Sequence, residues 1–380
     1  MLAPIAGARA APFKPGSDDQ VVETLPARAD PRMREVEALR RASRQAPNDL
    51  DAAVRLARRY HEMVAAEGDP RYIGYAQAAL GPWWNQPDPP PAARVMRAIL
   101  LQFGHQFDAA VADLDAVLAQ EPDNGEAWAW RAAIAMVQAD YAAARRACTA
   151  LARLASGLIG SACVANVDSV TGQAAAATQA IRSALQRAPD ATPGERLWVL
   201  TRLAEIEQRR GQFDAAEAAY RQALALNITD GYLLAAYADF LLDRQRAPEV
   251  LVLLKDMNRS DLLLLRLALA AHALRTPEAA GWENDLAARF DAARLRGDKL
   301  HQKEEARFAL ALQGQAQRAL ALAQENFALQ REPADTRILL EAAIAARQPA
   351  AAEPALKWMA DSRIESVTLS ALATRLRGGA

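Results

Sequence analysis

The sequence predicts an all-α protein of stacked antiparallel helix pairs, and three observations predict it. Alanines recur in pairs twelve residues apart: Ala98 with Ala110, Ala132 with Ala144, Ala165 with Ala177 and Ala204 with Ala216. These pairs themselves repeat with a period of about 34 residues, the mark of a repeat architecture. Hydrophobic residues make up 52% of the chain but aromatics only 6%, so apolar surface comes mostly from Ala and Leu, a mix that favours helices packed at close range. No segment reads as a strand.

In chain order, residues 1–30 come first. Ala8-Arg9-Ala10 fits the small-x-small box before a signal cleavage site, while a basic n-region and most of an apolar h-region are missing. Two readings stand: the remnant of an export signal, placing the protein in the periplasm or otherwise outside the cytoplasm, or the ordinary disordered N-terminus of a cytoplasmic protein. Residues 31–90 hold an N-terminal capping helix around Leu39, Ala42 and Pro47. A degenerate unit follows, opened by Leu56-Ala57 and Tyr60, with a longer interior around Gly68-Asp69-Pro70. Gly81-Pro82-Trp83-Trp84 and the run Pro87 to Pro91 read as a rigid, extended connection.

Residues 91–264 carry the regular repeats. The clearest unit runs from Leu197 to Asp230, with Leu203-Ala204, then Gly211-Gln212-Phe213-Asp214-Ala215-Ala216, then Tyr220, Ala223 and Leu224. In the next unit Pro248 predicts a second helix that begins there with proline in its first turn. Residues 265–380 are degenerate helical repeats. The register is irregular from Leu262 to Leu300 but still holds two helices. A weaker repeat returns around Gly314 and Ala319, and a last pair contains Trp358.

The physical reason for the spacing is packing. Antiparallel helices approach closely only where the crossing point has no bulk, which alanine provides, and large residues then fill the surrounding layer. A single pair cannot bury its apolar face, so stacking is obligatory.

These residues resemble the tetratricopeptide repeat family, in which a small residue sits at repeat position 8, an aromatic at 17, Ala at 20, a large residue at 24 and a small one at 27. Pro122 and Pro189 fall where that family closes its second helix. The resemblance is specific from about residue 91 to 260 and weak on both flanks. It implies a right-handed superhelical solenoid whose first helices line a concave groove. Carried over position by position, the groove residues are Trp198, Thr201, Glu205, Gln208 and Arg209, then Tyr232, Ala235, Asp239, Leu242 and Asp243. The preceding unit supplies Ile159, Ala162, Asn166, Ser169 and Val170, and the N-terminal one Arg58, His61 and Glu62. Such a groove is mixed in character and moderately acidic in its middle. The same register puts Cys148 on a second helix and Cys163 on the neighbouring first helix. They are read either as a disulfide, which would point to an oxidising compartment, or as two buried thiols.

Several function classes lose support. A net charge of -1 and a pI near 6.5 offer no basic face for nucleic acid. No apolar run is long enough to span a bilayer. The four histidines, His61, His105, His272 and His301, show no metal-ligand spacing, and no phosphate-loop or dinucleotide pattern occurs, so no cofactor is expected. Glu304-Glu305 reads as a solvated helix face and Arg296-Gly297-Asp298 as a turn. The expectation is a non-enzymatic scaffold that holds a protein or peptide partner in the groove, in the cell envelope. Two alternatives remain: a ligand-sensing regulatory domain, which needs a closed apolar pocket, and an enzyme with converging carboxylates in the irregular region 262–300.

Overall fold

The computed structural model describes residues 31–297 and 300–378, so the N-terminal segment read as a signal remnant lies outside the described residues, as does Asp298. Every regular element is helical. A capping helix α1 (Pro31–Gln45) leads into α2 (Leu50–Glu67), α3 (Arg71–Ala79) and the single turn α4 (Gly81–Trp84). The regular pairs follow: α5 (Pro91–Phe103) with α6 (Phe107–Gln120), α7 (Gly125–Val137) with α8 (Tyr141–Leu151), and α9 (Gly157–Val170) with α10 (Ala174–Arg187). Next come α11 (Pro193–Arg209) with α12 (Phe213–Leu224), α13 (Gly231–Asp243) with α14 (Ala247–Leu253), and α15 (Asp261–Leu274) with α16 (Ala279–Leu295). The C-terminal part comprises α17 (Gln302–Ala311), α18 (Ala316–Leu329), α19 (Pro333–Ala345), a 3-10 turn (Pro349–Ala352), α20 (Glu353–Ser362) and α21 (Val367–Gly378).

All eight alanines of the four pairs are buried, none more than 2% exposed. Around them sit the large residues one turn further on, Leu114, Cys148, Ile181 and Tyr220, each at most 1% exposed. Side-chain caps set the helix starts. Asn124, Asp140 and Asp230 accept the backbone N–H three residues on, at 2.9, 2.9 and 2.7 Å, and Thr192 forms a capping box with Glu195. Each such cap contributes about 1 kcal/mol. Pro248 lies in the first turn of α14, where its missing N–H is harmless.

One regularity was not visible in composition. The residue that turns the chain between the two helices of each regular pair has positive φ: His105, Ala139, Gly172, Gly211 and Gln245. Only two of the five are glycine, so three positions hold a side chain in a region that costs about 1–2 kcal/mol for an L-residue.

One expectation is corrected. The segment Gly81–Trp84 is not an extended connection but a helical turn with Pro82 at its start. Trp83 is buried against Ala53 and Ala93, and burial of that ring outweighs the extended preference of the surrounding prolines.

The array curls tightly, so that the C-terminal end of α2 returns to α13. Gly68 permits this approach: its φ is +68°, and a Cβ there would stand 2.2 Å from Ser260 Oγ.

Candidate functional site

The C-terminal helices do not extend the solenoid outward; they fold back over the inner face of the regular repeats. The Arg331 N–H donates to the Val137 carbonyl at 2.8 Å, and the Trp358 indole donates to the Tyr141 hydroxyl at 3.0 Å. The Ala174 N–H donates to Glu365 Oε1 at 2.9 Å, and Arg337 pairs with Asp243 through two hydrogen bonds of 2.7 Å. Val170 of α9 joins the apolar core that α17, α18, α19 and α21 share.

Between the two layers lies a cavity of about 280 Å³, lined by the inner residues of α9, α11 and α13 on one side and by α15, α17, α19 and the start of α21 on the other. Seven cationic and five carboxylate side chains line it, so the moderately acidic groove expected from the sequence is corrected: its acids are matched by arginines of α11, α15 and the returning helices. Asp239 receives Arg266 at 2.7 Å and Arg307 at 2.5 Å. Burial works to raise that carboxyl, but Arg266 and Arg307 hold it well below the usual carboxylate range. Lys303 lies 3.7 Å from the fully buried Asp335. Glu332 is pushed up by burial and by the neighbouring Asp335. On α11, Glu205 accepts from the Tyr232 hydroxyl at 2.5 Å and pairs with Arg202 at 3.0 Å, and the Arg202 guanidinium lies 4.4 Å above the Tyr232 ring.

The predicted groove residues divide. Asn166, Val170, Glu205, Gln208, Arg209, Tyr232, Ala235 and Asp239 line the cavity. Asp243 stands just outside it on Arg337. Thr201 is 2% exposed and donates to the Leu197 carbonyl at 2.7 Å, so it is withdrawn from the groove, as are the buried Ala162 and Ser169. Trp198 packs between two core clusters. Arg58 and His61 lie away from the cavity: Arg58 pairs with Glu126 at 2.6 Å, and His61 meets the Trp130 ring edge-on. Sequence reasoning missed the opposite wall, Arg266, Lys303, Arg307, Glu332 and Arg337, because no periodicity says that a distant repeat covers the groove. Glu304 and Glu305 were read as a solvated face, but they are 7% and 5% exposed. Glu305 takes Arg318 at 2.5 Å, and Lys303 and Arg266 hold Glu304 low against burial.

Cys148 and Cys163 are joined as a disulfide, with Cα atoms 5.3 Å apart, tying α8 to α9. Among the described residues no cluster of His, Cys, Asp or Glu is arranged to hold a metal ion, and no helix is long and apolar enough to cross a membrane.

Paired helices crossing on buried alanines, with first helices lining the concave side, decide the architecture. The chain folds as a tetratricopeptide-type solenoid. No protein-family model matches this chain, and no curated protein does. Among solved structures it is similar to yeast Tom70, at 15% identity and a TM-score of 0.39, over 91% of this chain and 62% of that one. It is also similar to the human IFIT1 dimer with m7Gppp-AAAA, at 15% identity and a TM-score of 0.42, over 87% of this chain and 86% of that one. A third is the P58(IPK) TPR domain, at 14% identity and a TM-score of 0.21, over 83% of this chain and 94% of that one. The chain thus spans less than two thirds of the Tom70 chain.

Proposed function

We propose that the protein is a non-enzymatic helical-repeat binding module that encloses a small ligand in the cavity between its regular repeats and its returning C-terminal helices. The observation that carries this reading is the covering of the concave face by α17, α19 and α21, which occupies the track an extended peptide would need. The cavity, about 280 Å³, is close to the lower end of ligand pockets, roughly 300 Å³. Sensing follows from the same arrangement: a ligand touching both walls stabilises the closed form by the difference in its affinity for the closed and open states. A thermal-shift screen of the full chain against metabolites and against peptides tests the reading. Stabilisation by small molecules is expected, and stabilisation by long peptides alone would contradict it.

A second reading keeps the peptide partner but moves it to the N-terminal stretch of the groove, because Arg58 and Glu126 are 43% and 37% exposed there. Its test is a pull-down in which Arg58→Glu abolishes capture. The disulfide between Cys148 and Cys163 supports an oxidising location such as the cell envelope. Peptide mapping of protein from its native host, finding both thiols free, would remove that support.

A further inference from the structure

Nearly every cation in the cavity wall has a carboxylate assigned to it: Arg266 and Arg307 share Asp239, Arg337 sits between Asp243 and Glu341, Lys303 faces Asp335 and Arg202 holds Glu205. Arg209 is different. Among the described residues it forms no ion pair, and its one side-chain hydrogen bond goes from Nη2 to Ser169 Oγ at 2.8 Å. Its Nε is buried without an acceptor, as is the Nε of Arg202 two turns earlier on the same face. A guanidinium carries five N–H donors and no acceptor, and a buried cation without a counter-charge is costly, so this corner of the cavity is built for an anion that the chain itself does not supply. Burial lowers the affinity of Arg209 for its own proton, Glu205 opposes that, and Arg202 adds to it.

The surroundings of Arg209 agree. Tyr141 lines the same cavity. Its hydroxyl accepts from Trp358 and keeps a hydrogen to donate, and burial pushes it up to about 12, so it stays a donor at neutral pH. Helix α21 opens onto the cavity at Ser366 and Thr368 and has no acid in its first turn, so its positive end is not neutralised from within. Met136, Val170 and Leu369 give the cavity apolar walls beside these donors. Arg331 also lines the cavity without an ion pair among the described residues, but it is exposed to solvent; that leaves Arg209 as the one unmatched cation with a buried guanidinium nitrogen, and with Glu205 and Glu332 close by it suits one negative charge better than two. The volume, about 280 Å³, is of the size that takes a small ligand.

Resting on the enclosed-ligand reading above, we infer that the cavity binds a small free organic monocarboxylate, with its carboxylate on the Arg209 guanidinium and the Tyr141 hydroxyl and its apolar body against Met136, Val170 and Leu369.

The test is calorimetric titration of the full chain with phenylacetate and hexanoate, with phenylacetamide and hexanamide as neutral matches, and with a hexapeptide ending in phenylalanine. The acids are expected to bind saturably, at least tenfold more tightly than their amides, and Arg209→Gln is expected to lose at least tenfold in acid affinity. Because it removes an uncompensated buried charge, Arg209→Gln is also expected to raise the Tm of the ligand-free protein, which a merely structural arginine would not do. Equal binding of acids and amides, undiminished binding by Arg209→Gln, or a hexapeptide as tight as phenylacetate would each overturn the inference. Neutral small molecules that stabilise the protein while the acids do not would overturn the monocarboxylate and leave the enclosed-ligand reading standing. An absence of binding by any small molecule would remove both.

Discussion

The regular repeats of residues 91–264 and the returning helices of residues 302–378 are both helix pairs, yet they are held in place by different forces. Within the regular repeats the crossings are made by alanines, and the buried surface between neighbours is apolar. Where the C-terminal helices meet the inner face, charged pairs carry much of the contact, Asp239 with Arg307 and Asp243 with Arg337, beside the backbone bond from Arg331 to Val137. Small-residue crossings fix helix distance along the chain and tolerate little change in volume. Charged pairs fix one arrangement between distant segments, contribute little net stability, and are costly when half of the pair is removed. The first kind of contact builds a scaffold; the second fixes where the C-terminal helices lie across it.

Four experiments sharpen that contrast. The largest effect is expected from Asp239→Asn, which takes the carboxylate from Arg307 and leaves Arg266 only Glu304 at 3.9 Å: a loss of about 3 kcal/mol in urea unfolding, with faster amide exchange concentrated in α17 and α19. Uniform acceleration through all the repeats would instead make Asp239 an ordinary core residue. Next is Ala204→Leu at the α11–α12 crossing, expected to cost about 2 kcal/mol through overpacking and to loosen the regular repeats around it. A third experiment concerns pH. Arg246 holds the Glu217 carboxyl down at about 2, against burial and with Tyr237 helping. Because the folded value lies below the unfolded one, this pair stabilises the protein above about pH 4.5, and its contribution is lost as the pH falls from there through 2. Glu217→Gln should therefore flatten the acid limb of a stability profile, and an unchanged limb would contradict the pairing. Smallest in size is Gln245→Gly, which relieves an exposed left-handed residue between α13 and α14 and is expected to gain up to about 1 kcal/mol in thermal unfolding. A loss would mean that the turn is held by the glutamine side chain.

How much of this could be read from the sequence follows from the same contrast. The alanine crossings were legible because they are set by spacing within one pair, and Pro248 marked the start of α14 for an equally local reason. The left-handed turns were half legible: Gly211 and Gly172 announce themselves, whereas His105, Ala139 and Gln245 hold the same conformation under the pressure of packing. The register identified which face of α11 and α13 points inward, and so named Glu205, Arg209, Tyr232 and Asp239. It could not say what faces them. Arg307 lies 68 residues from Asp239 and Arg337 lies 94 from Asp243, and their meeting depends on the accumulated curvature of the whole array. For the same reason Glu304 and Glu305 looked solvated: an acidic pair on a helix reads as surface until an arginine from another helix is known to cover it.

The claim on which the rest depends is that the C-terminal helices sit inside the groove of the regular repeats. A double-mutant cycle on Asp243→Asn and Arg337→Gln, read by urea unfolding, tests it most directly. Contact through the paired 2.7 Å hydrogen bonds predicts a coupling of about 0.5–1 kcal/mol. Strictly additive effects, with no coupling, would contradict it.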